Sequence, residues 1–386
     1  MNLDAFPVID THCHPFPPAQ GAITAQELLN AIGVALERPA SPLNESMMLT
    51  RMVVKGLARL LDCPADLASV VEARNAIAGN DAAAYNALLF NDAKIKAVLA
   101  DPGYPAEPFI PIADWEKVLP VPAYEGYRIE RFTGWDNDSN FAAGKHATFA
   151  DFVDDFLATL DREAARPGMI FYKSVIAYRT GLAINRVSDA EAKAAWESHP
   201  GRRQPGDKTL RDYLFWLTAL KAKEYGKPFQ VHTGHTSDSN PWPNVNPILM
   251  TPILREPEMA EVPFVLVHGG YPFCTEAGYI TSVFENVALD LSLMIPWSSI
   301  GIAQRIHETL EFAPTKKVMY GSDGIMGPEL FWISSLNTRK ALGHVLGDLV
   351  ADDVLDNDEA LEIAQDIFFR NAERIYGISI DQGKSA

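Results

Sequence analysis

The chain has 386 residues, with 50 Asp and Glu against 33 Lys and Arg, for a formal net charge of −17. Neutralising nucleic-acid phosphates or anionic lipid requires a basic face, and no Lys/Arg cluster occurs in this sequence, so neither partner is expected. No apolar run approaches the roughly 20 residues of a membrane-spanning helix, and Met1-Asn2-Leu3-Asp4 lacks the basic-then-apolar pattern of a secretory signal, so a cytoplasmic location is expected.

Short apolar runs followed by polar or Gly-rich turns occur near residues 7–12, 94–100, 126–131, 169–176, 228–232, 263–268, 286–291 and 317–321. Most are rich in β-branched or aromatic residues, as buried parallel strands should be. About eighty residues separate the first run from the second, far more than one crossover helix needs. Their helix-like stretches, Ala25–Leu36, Pro64–Ala78 and Ala82–Leu89, predict a helical insertion over residues 21–92, placed over the barrel mouth because loops after strands surround barrel active sites. Further on, apolar spacing of three and four predicts a helix over 148–165. Asp207 and Thr209 are candidate caps for a helix over 210–225 that ends at Gly226. Leu330–Leu346 and Ala360–Tyr376 read as terminal helices, and Asp381–Ala386 as a frayed tail. Eight strands alternating with helices predict an α/β (β/α)8 TIM barrel, one domain over 1–386. The three cysteines, Cys13, Cys63 and Cys274, are too widely spread for a disulfide framework or a zinc finger.

The strongest local signal is Val8-Ile9-Asp10-Thr11-His12-Cys13-His14-Pro15. On a strand, side chains two apart share a face, so His12 and His14 point together. His232 ends the fifth run, His268 ends the sixth, and Asp323 follows the eighth. Five ligand-type residues therefore fall at the C-terminal ends of four expected strands, which converge on one face of a barrel. That pattern predicts a shared metal site. Imidazole and carboxylate donors suit zinc, and also manganese or iron.

With those residues, the chain resembles the amidohydrolase superfamily, whose barrel enzymes carry His-x-His on strand one, His on strands five and six, and Asp on strand eight. Phe171-Tyr172-Lys173-Ser174-Val175-Ile176-Ala177-Tyr178-Arg179-Thr180-Gly181-Leu182, Tyr320-Gly321-Ser322-Asp323-Gly324 and Pro328-Glu329 resemble the amidohydrolase-2 branch. The likeness is to the nodulin-like domain fused to some glutamine-synthetase-like proteins. It runs from Pro7 to Gly377 and does not extend to the synthetase domain.

The resemblance implies that His12, His14, His232 and Asp323 hold the metal, with Asp323 also shuttling a proton. It implies one or two divalent ions. With one, His268 polarises the substrate carbonyl or acts as an acid/base; with two, it binds the second. Lys173, in an otherwise apolar run, is a carbamylated bridging ligand, a cation for a substrate carboxylate, or a structural lysine whose stem is buried. Arg179 offers a bidentate fork for the same group. His235, Tyr178 and Trp297 are candidate pocket residues, with Trp242 and Tyr271 beside them. The expected activity is hydrolysis of an amide, lactone or related carbonyl in a small carboxylate-bearing substrate, by metal-bound hydroxide. A γ-glutamyl-type amide is one candidate, and a homodimer is expected from barrel enzymes of this kind. The rivals are a non-oxidative decarboxylase of the same branch, an isomerase of an open-chain sugar acid, and a metal-bearing binding domain.

Overall fold

Eight strands lie in one sheet in chain order: Val8–Cys13, Ile95–Ala100, Ala123–Arg128, Met169–Ser174, Phe229–His232, Phe264–Val267, Val287–Asp290 and Val318–Met319. The first strand pairs with the second, and the third to the seventh pair in succession, all in parallel. A backbone bond from Thr11 N to Tyr320 O, 3.1 Å, joins the first strand to the residue after the eighth. Strand, helix, strand repeated in this order is a (β/α)8 barrel. The computed structural model describes residues 1–18, 21–33, 41–104, 110–133, 146–199, 207–235 and 240–380. Among them no helix is long and apolar enough to cross a membrane.

Two compact units emerge from the contacts. The first comprises Met1–Tyr124, Asp290–Leu310 and Val318–Ala386; the second comprises Glu125–Leu289 and Glu311–Lys317.

In the first unit, the described residues within 21–92 include the helices Ala25–Ala31, Met48–Leu60, Leu67–Ala78 and Ala82–Asp92. The helix Met48–Leu60 is additional to those expected, although Leu49, Val53 and Leu57 give it a buried stripe at helical spacing. The helix expected from Pro64 starts at Leu67, because the Asp66 side chain caps the Ser69 amide. The expected helix Ala25–Leu36 is seen to Ala31; residues 34–36 lie outside the described residues, as does the tail 381–386. The helix Pro328–Ala351 follows the last strand, with Pro328 in its first turn.

In the second unit, each strand turns one face towards helices. Tyr127, Tyr172, Phe229, Val231, Phe264 and Leu266 share a buried cluster with Phe152 and Phe156 of the helix Phe149–Ala164 and Phe215 of the helix Asp207–Tyr225. Strand side chains alternate. Arg128, Lys173, Gln230 and His232 therefore occupy the opposite face, and Lys173 pairs in register with Arg128 on one side and Gln230 on the other. All four are buried.

Candidate metal centre

The first strand ends in His12-Cys13-His14, and the alternation separates these side chains as expected. Cys13 Sγ donates to Leu99 O of the second strand at 3.5 Å. The two imidazole rings meet edge to face, 5.2 Å apart. His12 Nε2 lies 3.5 Å and His14 Nε2 3.3 Å from Asp323 Oδ1. All three residues are buried, and their ligand atoms lie within 4.8 Å of one another.

The donor set fits a divalent cation. Two ligands about 2.1 Å from a tetrahedral ion stand roughly 3.4 Å apart, close to the two nitrogen–oxygen separations. Among the described residues no hydrogen-bond donor reaches Asp323 Oδ1, although it is buried. A buried carboxylate oxygen facing two imidazole nitrogens suits a bound ion. His14 is oriented from behind: its Nδ1 lies 2.9 Å from Asp101 O. A carbonyl only accepts, so Nδ1 carries the proton and Nε2 presents its lone pair.

Asp323 is held in a left-handed backbone conformation, φ 53°. Its amide donates to His12 O at 2.8 Å, and His14 N donates to Gly324 O at 2.7 Å. Ser322 N donates to Asp10 Oδ1 at 2.9 Å, and Gly324 N to Ser322 Oγ at 2.8 Å. Burial pushes the Asp10 carboxyl up to about 8. Close by, Thr11 Oγ1 donates to Asp290 Oδ2 at 2.5 Å. Asp10, Asp101 and Ser322 have no role in the sequence reading, although Asp10 and Ser322 flank the candidate ligands within its motifs.

The second unit carries the other expected residues apart from Trp297. His232 and His268 meet edge to face at 4.2 Å, and Tyr178 stacks obliquely on His232 at 4.3 Å. His232 Nε2 donates to His235 O at 2.7 Å, which leaves Nδ1 as its basic atom when neutral. Burial, reinforced by the Lys173 charge, holds the His232 pKa well below the usual histidine range. His268 follows the sixth strand with φ 82° and opens the turn through Gly269 and Gly270. His235 N donates to Tyr271 O at 2.6 Å. Gly234, φ 73°, allows this approach, since a Cβ there would lie 2.3 Å from Tyr271 O. Arg179 ends the short helix Ile176–Arg179 and is half-buried. Trp242 is exposed and edge-on to His235 at 6.0 Å.

Trp297 belongs to the first unit, where its indole N–H donates to Ile32 O at 3.3 Å. His199, given no role from the sequence, pairs with Asp207 at 2.7 Å. Asp207 is thus inside the first turn of its helix.

A parallel eight-stranded barrel with a buried His-x-His and a carboxylate after the last strand defines a class of metal-dependent barrel enzymes. The amidohydrolase family model matches residues 9–378, and the chain belongs to that family. The protein fluG of Emericella nidulans is 31% identical over 256 residues, which cover 63% of this chain and 29% of that protein. The chain therefore matches under a third of the length of this curated relative. Among solved structures, a candidate metal-dependent hydrolase from Lactobacillus casei aligns with TM-score 0.83 at 23% identity, over 97% of this chain and 96% of the other. A uronate isomerase from Thermotoga maritima aligns with TM-score 0.65 at 14% identity, over 97% and 95%. These two likenesses concern the fold.

Proposed function

We propose that the protein is a metal-dependent hydrolase that cleaves an amide, lactone or related carbonyl in a small carboxylate-bearing substrate. The observation that carries this reading is the buried His12, His14 and Asp323 cluster, whose ligand atoms lie within 4.8 Å in a chain of the amidohydrolase family. Zinc is the proposed ion, given two imidazoles and a carboxylate. When bound, it supplies Lewis acidity and a water acidic enough to react near neutral pH. The family pattern adds His232 as a further ligand, offered through Nδ1 because Nε2 donates to His235 O.

The residues then have distinct tasks. Asp323 takes the proton from the attacking water and returns it to the leaving nitrogen or oxygen as the carbonyl–heteroatom bond breaks. His268 donates a hydrogen bond to the developing oxyanion. Lys173 stays cationic and, with Arg179, binds the substrate carboxylate. Tyr178 and His235, both in contact with His232, are the proposed substrate-contacting residues.

The test combines elemental analysis of the purified protein with a panel of amides, lactones and aromatic acids, γ-glutamyl amides among them. The expected result is bound zinc and turnover in which solvent oxygen enters the product carboxylate. Release of carbon dioxide without uptake of water would replace hydrolysis with decarboxylation. Intact mass of Lys173-containing peptides should show no added carboxyl group.

A further inference from the structure

Arg74, on the helix Leu67–Ala78, and Glu329, in the first turn of the helix Pro328–Ala351, are both fully buried. Arg74 Nε donates to Glu329 Oε1 at 3.0 Å, and Tyr85 Oη donates to the same oxygen at 3.2 Å. Another guanidinium nitrogen of Arg74 donates to Gly21 O at 2.6 Å and to Asn75 Oδ1 at 3.2 Å. The guanidinium lies over the Tyr85 ring, 5.0 Å from its centroid. Nearby, Trp332 Nε1 donates to Asp92 Oδ2 at 2.7 Å, and a Cβ at Gly56 would lie 2.5 Å from the Trp332 ring. The helices between the first two strands thus grip the start of the helix that follows the last strand. A buried ion pair is weak evidence for stability, because apolar residues of similar volume often do as well. Its geometry, however, is specific.

The gripped turn leads to the ligands. Phe331, two residues after Glu329, lies against Gly324, where a Cβ would be 2.5 Å from the ring. The same ring meets Phe16 and Phe90 at 5.6 Å each, and Trp115 at 6.1 Å. Gly324 follows Asp323, and Phe16 is two residues beyond His14.

We propose that Arg74 and Glu329 are positioning residues for the metal centre: their ion pair seats Phe331 on Gly324 and so sets Asp323 against His12 and His14. The proposal rests on the metal-centre reading above. It makes the helices Leu67–Ala78 and Ala82–Asp92 part of the metal-binding machinery, although none of the proposed ligands lies in them.

The test measures zinc affinity of the full chain by competition with a chromophoric chelator, and thermal unfolding without added metal. The variants are Arg74→Met, Arg74→Lys, Glu329→Gln and the double variant Arg74→Met with Glu329→Gln. Leu160→Ala, in the helix-packed core of the second unit, is the destabilised reference. The expected result is a loss of zinc affinity of about tenfold or more in Arg74→Met, Glu329→Gln and the double variant. Arg74→Lys should recover part of it, and Leu160→Ala should bind zinc like the wild type despite a lower Tm. If Arg74→Met does not fold because it strands a buried charge, the double variant and Glu329→Gln carry the test. Wild-type affinity in the folded double variant would overturn the proposal, as would an equal loss in Leu160→Ala. A wild-type chain that binds no divalent ion would instead overturn the metal-centre reading itself.

Discussion

Ser322 clasps Asp10 twice: its amide donates to Oδ1 at 2.9 Å and its hydroxyl to Oδ2 at 2.5 Å. The two residues are 312 apart in sequence, yet one lies two before His12 and the other one before Asp323. The clasp ties the first strand to the segment after the last. Ser322→Ala leaves a buried Asp10 oxygen without its donor and removes the acceptor for Gly324 N. A loss of about 1–3 kcal/mol is expected, read as a lower urea midpoint with an unchanged m-value. An unchanged midpoint would show the hydroxyl to be dispensable.

Removing a ligand should remove the ion. His12→Ala is expected to lower bound metal in elemental analysis while far-ultraviolet circular dichroism stays native. Full occupancy in that variant would place the metal elsewhere. Asp323→Asn should abolish turnover on any substrate found for the wild type, because an amide cannot accept and return the proton. Retained activity would sink that role.

Chelation gives a second route. An ion that binds only the folded chain stabilises it by about 2.7 kcal/mol when free metal is 100 times Kd. Dialysis against a chelator should therefore lower Tm, and added zinc should restore it. Neither treatment should move the Tm of His12→Ala.

Gly234→Ala tests the turn that orients His232. The new Cβ would lie 2.3 Å from Tyr271 O on a residue with φ 73°. The left-handed conformation alone costs an L-residue roughly 1–2 kcal/mol, and the clash is with backbone that cannot rotate away. The expected outcome is a stability loss above about 1 kcal/mol, measured by urea unfolding. A neutral substitution would mean that the Gly234–Tyr271 approach is looser than described.

The strands and the His-x-His pair were legible because both depend on local pattern. Runs such as Phe264–Val267 are apolar and short, and alternation alone predicts that His12 and His14 share a face. Boundaries were less legible. The third strand was expected over 126–131 but runs Ala123–Arg128, because its ladder begins at the half-buried, polar Glu125 opposite Met169. The eighth strand is limited to Val318–Met319, since Tyr320 N turns to Ile367 O at 2.8 Å. The ion pair of Arg74 with Glu329 was out of reach: 255 residues separate the partners, and no periodicity links them. The Asp10–Ser322 clasp was hidden for the same reason, although both residues stood near the proposed ligands.

The alternation of His12, Cys13 and His14 has a consequence for inheritance. A strand that slips by one residue moves every side chain to the other face. Loss or gain of a single codon near Val8 could thus present the soft thiol of Cys13 where the imidazoles now stand, and turn both imidazoles away. Point changes at Val8 or Ile9 would alter only packing. Descendants of this chain should therefore vary in the composition of the first strand far more readily than in its length.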